Sequence, residues 1–396
     1  MLVLDKIEAA PADPILGLTA AFKEDTREGK INLSVGVYQD EQGRTPLLEC
    51  VREAEGRLAA ETQTKSYLPI PGSPGFRNAV RELVFASTGV EAGRVSFAHT
   101  PGGTGGLRVA GDFLKANLSG ATLWMSTPTW PNHPNIFGAA GVTTKGYRYF
   151  DPATNGLDFE GMLADIGQMP AGDAILLHGC CHNPTGIDPT PEQWSKIAGA
   201  VRERGVLPLL DFAYQGFADG VEEDTVGLKA FAGEGAELIV ISSFSKNFSL
   251  YRERVGGLSI VSADAEGAAA VQSQMNRVIR SNYSNPPAHG AALVECVLTD
   301  DALHQQWLGE VAVMRDRING MRSLLVESLK AEGVPGDYSF ITRQRGMFSF
   351  SGLTKEQVGR LREEHAIYVV GSGRINVAGL TPDNVGRVAK AIAAVS

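Results

Sequence analysis

A chain of 396 residues exceeds the usual size of one domain, so one large core with a smaller second unit is expected. With 43% apolar and 20% charged residues it is no disordered polymer, and a net charge of −9 argues against a nucleic-acid surface as the main partner. Small molecules or another protein chain are the partners that remain.

Cys50, Cys180, Cys181 and Cys296 lack metal-ligand spacing and two of them are adjacent. Neither a disulfide framework nor a zinc site is expected, and the thiols read as free in a reducing compartment. Acidic residues from Asp5 break up the N-terminus as a leader, and no apolar run approaches the roughly 20 residues of a membrane span. A cytoplasmic protein with no membrane contact is expected.

Residues 1 to 14, with Pro11 and Pro14, read as an extended arm suited to packing on a partner subunit, ahead of a helical stretch from Ile15 to Phe22. Ile31 to Tyr38 alternates like a short strand; Gly36 within it either admits backbone close to a ligand or marks a simple bend. Residues 47 to 63 have helical character, Ser66 to Gly72 forms a proline-rich loop presenting Tyr67, and helical patterning returns from Gly75 to Ser87. Tyr67 suits a contact or plain packing equally.

Val95 to Ala98 reads as a strand running into Thr100-Pro101-Gly102-Gly103-Thr104-Gly105-Gly106-Leu107-Arg108. Strand, glycine turn and helix start suit an anion: glycines let amides point at it, the helix adds its positive end, and Thr104 a hydroxyl. No Gly-Lys-Ser/Thr follows, and Arg108 stands where a dinucleotide fingerprint needs its third glycine; a plain tight turn is the alternative. Ala121 to Met125 leads to Trp130 in a proline-stiffened loop, a ring able to stack on a cofactor or simply to fill the loop, with His133 as a hydrogen-bonding neighbour.

Ala174 to Leu177 ends in His178-Gly179-Cys180-Cys181-His182-Asn183-Pro184-Thr185-Gly186. Ligands crowded along one turn are unlike a zinc site, so no metal is expected; Asn183 is the candidate, as a neutral donor to a cofactor oxygen. Val206 to Leu210 is strand-like, with Pro208 counting against a central position, and is followed by Asp211 and Tyr214. A carboxylate after a buried run needs a partner, such as a protonated ring nitrogen, unless Asp211 is a helix cap.

Leu238-Ile239-Val240-Ile241 reads as a buried strand that delivers Lys246 among Ser242, Ser243 and Ser245, with Arg254 close behind. Such a lysine forms an imine with a carbonyl cofactor, and the hydroxyls and guanidinium hold a phosphate, unless the segment is an ordinary Ser/Lys loop. Strands alternate with helical stretches from about 95 to 260, and polar residues gather where strands end, as in an open parallel α/β sheet. Ile279 to Pro287 is a loop carrying Arg280, and a long helical tract at 301 to 332 links two domains. Alternations at Gly346 to Phe350, Ile367 to Val370 and Gly373 to Ala378 suggest a small αβ domain, in which Arg374 needs an anion, whether ligand or structural carboxylate.

Gly-Gly-Thr-Gly, Pro-Thr-Trp-Pro-Asn-His, His-Asn-Pro-Thr-Gly, Asp-Phe-Ala-Tyr-Gln-Gly-Phe, Ser-Phe-Ser-Lys-Asn, Asn-Tyr-Ser-Asn-Pro-Pro and Gly-Arg-Ile-Asn-Val occur in that order. From about Pro14 to the C-terminus the chain thereby resembles the aspartate and aromatic aminotransferase group of fold-type I pyridoxal phosphate enzymes. The resemblance implies a large domain with a mostly parallel sheet flanked by helices (46–310), a smaller αβ domain (15–45 with 311–396) and the arm (1–14). It implies pyridoxal 5'-phosphate held as an imine by Lys246, which also moves the proton from Cα to C4′. Asp211 is then the partner of the ring nitrogen, Tyr214 and Asn183 those of the ring oxygen, and Trp130 the stacking ring.

The phosphate is implied to lie on Gly103, Thr104, Ser243, Ser245 and Arg254, with Tyr67 reaching from the neighbouring subunit of a homodimer with shared sites. Arg374 matches the arginine for the substrate α-carboxylate, Arg280 the partner chain's arginine for a side-chain carboxylate, and Gly36 a position beside the substrate. Two arginines suit dicarboxylic amino acids and 2-oxo acids, hence transamination of aspartate with 2-oxoglutarate. An aromatic aminotransferase with a mobile Arg280 is the alternative. A silent protein of the same fold is expected to lack Lys246 or Asp211, and both are present; aspartate β-decarboxylation is the minor rival. Ser34 and Ser66 depart from the group's usual residues.

Overall fold

The computed structural model describes residues 4–9 and 16–396. Its centre is a seven-stranded sheet: β1 (Val95–Pro101), β2 (Thr122–Thr127), β3 (Thr143–Arg148), β4 (Ala174–His178), β5 (Leu207–Phe212), β6 (Leu238–Ser243) and β7 (Val255–Val261), in spatial order β1-β7-β6-β5-β4-β2-β3. All neighbours are parallel except around β7, which runs against both β1 and β6.

The middle strands are covered on both faces and therefore read as unbroken apolar runs. In β6, Leu238 and Val240 enter one core with Trp307 and Phe248, while Ile239 and Ile241 enter the opposite core with Leu107, Met275 and Ile279. Helix α1 (Gly102–Asn117) and the helix Ala265–Asn282 pack against each other and on strands β1 and β7 of the sheet. Among the described residues no helix is long and apolar enough to cross a membrane.

Helix α2 (Asp301–Ala331) is 31 residues long, about 46 Å at 1.5 Å per residue. It packs on the helix His289–Thr299 and on the C-terminal helix Pro382–Val395. Around its C-terminal half lie two small sheets: Ile31–Asn32 parallel to Ile367–Tyr368, and Phe348–Phe350 antiparallel to Arg374–Asn376.

Three expectations change. Pro208 was read as unsuited to a central strand, yet β5 is the fourth of seven. Proline is tolerated because the β5–β6 ladder begins only at Leu209 opposite Ile239, so no ladder donor is missing at Pro208. The strand expected from Ile31 to Tyr38 stops at Asn32, and Asn376 Nδ2 then binds Val35 O at 2.6 Å and Val37 O at 2.9 Å in place of a ladder. Of the expected arm, residues 1–3 and 10–14 lie outside the described residues; Leu4–Lys6 is one exposed 3-10 turn. The first helix runs Leu16–Glu24.

Candidate active site

The carboxyl ends of the parallel strands open on a cavity of about 430 Å³. Gly103 and Thr104 follow β1, Trp130 follows β2, and Asn183 follows β4. Asp211 is the penultimate residue of β5 and Tyr214 lies just beyond the strand; Ser243 ends β6, Ser245 and Lys246 follow it, and Arg254 precedes β7. Gly36 and Arg374 close the cavity from the other side. Twelve of the fourteen residues singled out from the sequence therefore line one space.

Asp211 is in a strand, opposite His178 on β4 and Ile241 on β6, and is not a helix cap. Its Oδ2 lies 3.1 Å from His133 Nε2, and His133 Nδ1 lies 2.8 Å from Thr129 Oγ1. With the carboxylate ionised, Nε2 donates and a neutral imidazole accepts the threonine proton at Nδ1. Burial alone raises the Asp211 carboxyl, but the His133 hydrogen bond and the Lys246 charge outweigh it and hold the group below its ordinary value. Oδ1 is buried without a partner, a costly state that a cationic or N–H ligand in the cavity would relieve. His178, beside His133 with ring centroids 5.2 Å apart, is held down to about 3 by burial, and neither of its ring nitrogens has a partner.

Lys246 Nζ sits 4.6 Å from the centre of the Tyr214 ring. Burial pulls its ammonium down to about 8, Asp211 opposes this, and Arg254 and Arg374 add to it. The same burial pushes the Tyr214 phenol up, so it stays a donor at neutral pH. Trp307 Nε1 donates to Asn247 O at 2.8 Å and fixes the residue after the lysine.

At the other end of the cavity lies an anion cradle. No side chain caps the first turn of α1, so its amides face the cavity from the positive end of a 16-residue helix. Arg254 Nη1 donates to Ser245 Oγ at 3.2 Å, and Ser245 N to Ser243 Oγ at 3.4 Å. Gly102 is required here: its φ is +70°, and a Cβ would lie 2.5 Å from Arg254 Nη2.

Arg374, 3% exposed, faces a ligand space and not a structural carboxylate. Its Nη2 donates to Ser34 O at 2.7 Å, its Nη1 to Asn183 Oδ1 at 3.3 Å, and its Nε has no partner. The guanidinium lies 4.1 Å from the centre of the Phe348 ring, and burial lowers it to about 10. Gly36 admits that ring, since a Cβ there would stand 2.9 Å from Phe348 Cζ. The hydroxyl of Ser34, one of the departures, turns to Asn32 Oδ1 at 2.7 Å and leaves the pocket unaltered.

Tyr67 and Arg280 are outside this cavity. Tyr67 is 93% exposed, and Arg280, near the end of its helix, is exposed and donates to Ser284 Oγ. Five lining residues were not anticipated as site residues: Leu107, His178 and Ala213, Phe348, which carried only a strand signal, and Tyr251, whose position inside the Lys246–Arg254 stretch was the available sign. Tyr251 Oη accepts from Tyr38 N at 2.8 Å and ties the Gly36 loop to the lysine segment. Cys180, Cys181 and Asp224 place ligand atoms within 4.8 Å of one another. Asp224, however, already accepts from the amides of Gly216, Ala218, Asp219 and Gly220.

Comparison with known proteins agrees with this geometry. Residues 28–392 match the family Aminotransferase class I and II. The aspartate aminotransferase of Escherichia coli strain K12 is 54% identical over 395 residues, covering 99% of this chain and 100% of that protein. The aromatic-amino-acid aminotransferase of Pseudomonas aeruginosa is 48% identical over 392 residues, 98% of each. The crystal structure of the aromatic-amino-acid aminotransferase from Burkholderia pseudomallei, covalently bound to pyridoxal phosphate, superposes with a TM-score of 0.97 at 48% identity over 100% of both chains. With the family profile spanning most of its length and relatives this similar along all of it, the chain belongs to the class I and II aminotransferases.

Proposed function

We propose that this protein is a pyridoxal phosphate-dependent aminotransferase that exchanges the amino group of aspartate with 2-oxoglutarate. The observation that carries the reading is one cavity holding a lysine lowered to about 8, a buried carboxylate with an unpartnered oxygen and a buried guanidinium with no structural anion on its open side. Those residues fit the cofactor: Asp211 Oδ1 awaits a cationic N–H, and the α1 amides with Ser243, Ser245 and Arg254 suit a phosphate. When bound, pyridoxal phosphate supplies an aldehyde for an amine and a ring that takes up the electron pair left when the Cα–H bond breaks.

The chain's own residues do the rest. Arg374 takes the substrate α-carboxylate with two parallel N–H groups, on a guanidinium already oriented by Ser34, Asn183 and Phe348. Asp211, held at Oδ2 by His133, would keep a proton on the ring nitrogen, Tyr214 and Asn183 would hold the ring oxygen, and Trp130 would stack on the ring. The Lys246 amine, neutral in useful proportion near pH 8, would take the proton from the substrate Cα and deliver it to C4′ of the cofactor, on the far side of the nitrogen that joins the two carbons.

Tyr67 and Arg280 belong, in this reading, to the cavity of a second copy, Tyr67 at the phosphate and Arg280 at the side-chain carboxylate. Their exposure outside their own cavity supports that placement. Randomly mixed Lys246→Ala and Arg280→Ala chains then form about half heterodimers, each with one intact site, and recover roughly a quarter of wild-type aspartate activity. Recovery of none would separate Arg280 from the partner's site. The division into 15–45 with 311–396 and 46–310 is also part of the proposal, supported by the pairing of Ile31 with Ile367. So is a cytoplasmic location, supported by four free cysteines.

The deciding experiment is kcat/KM for aspartate, tyrosine and phenylalanine with 2-oxoglutarate, on protein saturated with pyridoxal phosphate. Strong preference for aspartate is expected. Equal values would favour the aromatic reading, which the 48% identical Pseudomonas relative supports, and loss of the aspartate β-carboxyl as CO₂ would point to decarboxylation.

A further inference from the structure

Arg322 lies on α2 and is 1% exposed. Its contacts run to neutral oxygens of one segment, the loop that leads into the strand Phe348–Phe350 and the first two residues of that strand: Nε to Gln344 O at 3.0 Å, Nη1 to Ser349 Oγ at 3.1 Å, Nη2 to Phe348 O at 2.7 Å and to Gly346 O. Burial lowers the guanidinium to about 10. A cation held this deep on carbonyl dipoles is expensive for the fold, and an apolar side chain would fill the same space at less cost. What only the guanidinium supplies is a rigid planar fork that fixes four acceptors in one arrangement.

The loop so gripped carries the floor of the carboxylate site. Phe348 projects from it with the Arg374 guanidinium over its face at 4.1 Å, the Tyr214 ring edge-on at 5.9 Å, and Gly36 against its tip. The same loop is tied to the segment that carries Asn183, because Arg345 N donates to Gly186 O at 2.6 Å. Of the three things that orient Arg374, the Phe348 ring thus rests directly on this segment, Asn183 is linked to it through Gly186, and Ser34 is linked to it through Asn376, which pairs with Phe348 and binds Leu33, Val35 and Val37.

We propose that Arg322 is a positioning residue for substrate recognition: by locking residues 344–349 it fixes the Phe348 ring beneath Arg374 and so sets the affinity of the site for a carboxylate. The inference rests on the reading of Arg374 as the carboxylate-binding arginine. Arg322 touches neither substrate nor reacting atoms, so its loss acts on binding and not on the proton transfer at Lys246.

The test is a double-mutant cycle on the holoenzyme with Arg322→Lys, Phe348→Leu and both together, read as KM and kcat for aspartate with 2-oxoglutarate and as Kd for succinate. Lysine keeps the charge but offers three donors without the planar fork, so Arg322→Lys should raise KM and the succinate Kd by a common factor of about 10 and change kcat by less than about 3-fold. With Phe348 already replaced, the same change should add less than about 2-fold, since the two residues act as one unit. Multiplying KM effects, or a fall in kcat at unchanged KM, would overturn the proposal. If Arg322→Lys does not fold, Ser349→Ala removes one acceptor alone and should raise KM and the succinate Kd about 3-fold; no change in either would overturn it as well. An inactive wild-type holoenzyme would count against the proposed function and not against the role of Arg322, which the succinate Kd still reports.

Discussion

The lysine at the end of β6 gives the most direct check on the electrostatics of the site. In the cofactor-free protein burial brings its pKa to about 8. At pH 7 roughly one amine in ten is then neutral, against about one in 2,500 for a lysine at its ordinary value near 10.4. Only the neutral amine attacks a carbonyl, so its reaction with a small neutral aldehyde, trapped with borohydride and read at the Lys246 peptide by mass, should rise with pH through a half-point near 8 and level off about one unit above it. The sign of the coupling is also fixed. The Asp211 charge raises the lysine, so Asp211→Asn should move the half-point to lower pH, whereas Arg374→Met removes a cation that lowers it and should move it up. A half-point near 10, or an upward move in Asp211→Asn, would refute the argument from burial and charge.

Gly102→Ala places a Cβ at φ +70° against Arg254, so it should cost about 1–2 kcal/mol of stability and weaken cofactor retention about 10-fold, measured by absorbance after dialysis. Arg374→Lys exchanges a two-pronged donor for a point charge and should cut kcat/KM for aspartate about 100-fold, mostly through KM; an equal loss confined to kcat would remove Arg374 from carboxylate binding. Trp307→Ala deletes a fully buried ring stacked on Phe248 at 4.7 Å and the donor to Asn247 O, and should cost about 3–5 kcal/mol in urea unfolding. A loss below about 1 kcal/mol would show that the core beneath the lysine segment is already loosely packed.

What the sequence by itself determined was the order of the parts. A strand buried on both faces must be an apolar run, and a parallel sheet must deliver its polar residues at one edge, so Ala174–His178 and Leu238–Ser243 and the residues after them were legible as runs and endings. The ordered motifs then carried Lys246, Asp211, Arg254 and Arg374 to a family. Only the tertiary structure decided the partners. That Arg374 has no structural carboxylate, that Asp211 keeps one oxygen free because His133 takes the other, and that Pro208 escapes a ladder bond are consequences of which chain segments meet across 78 to 340 residues of sequence or begin pairing one residue later. Phe348 and Arg322 were illegible for the same reason: an aromatic in an alternating run and an arginine on a long helix look like core and surface, and their meaning comes from the guanidinium that lies over one and the loop that wraps the other.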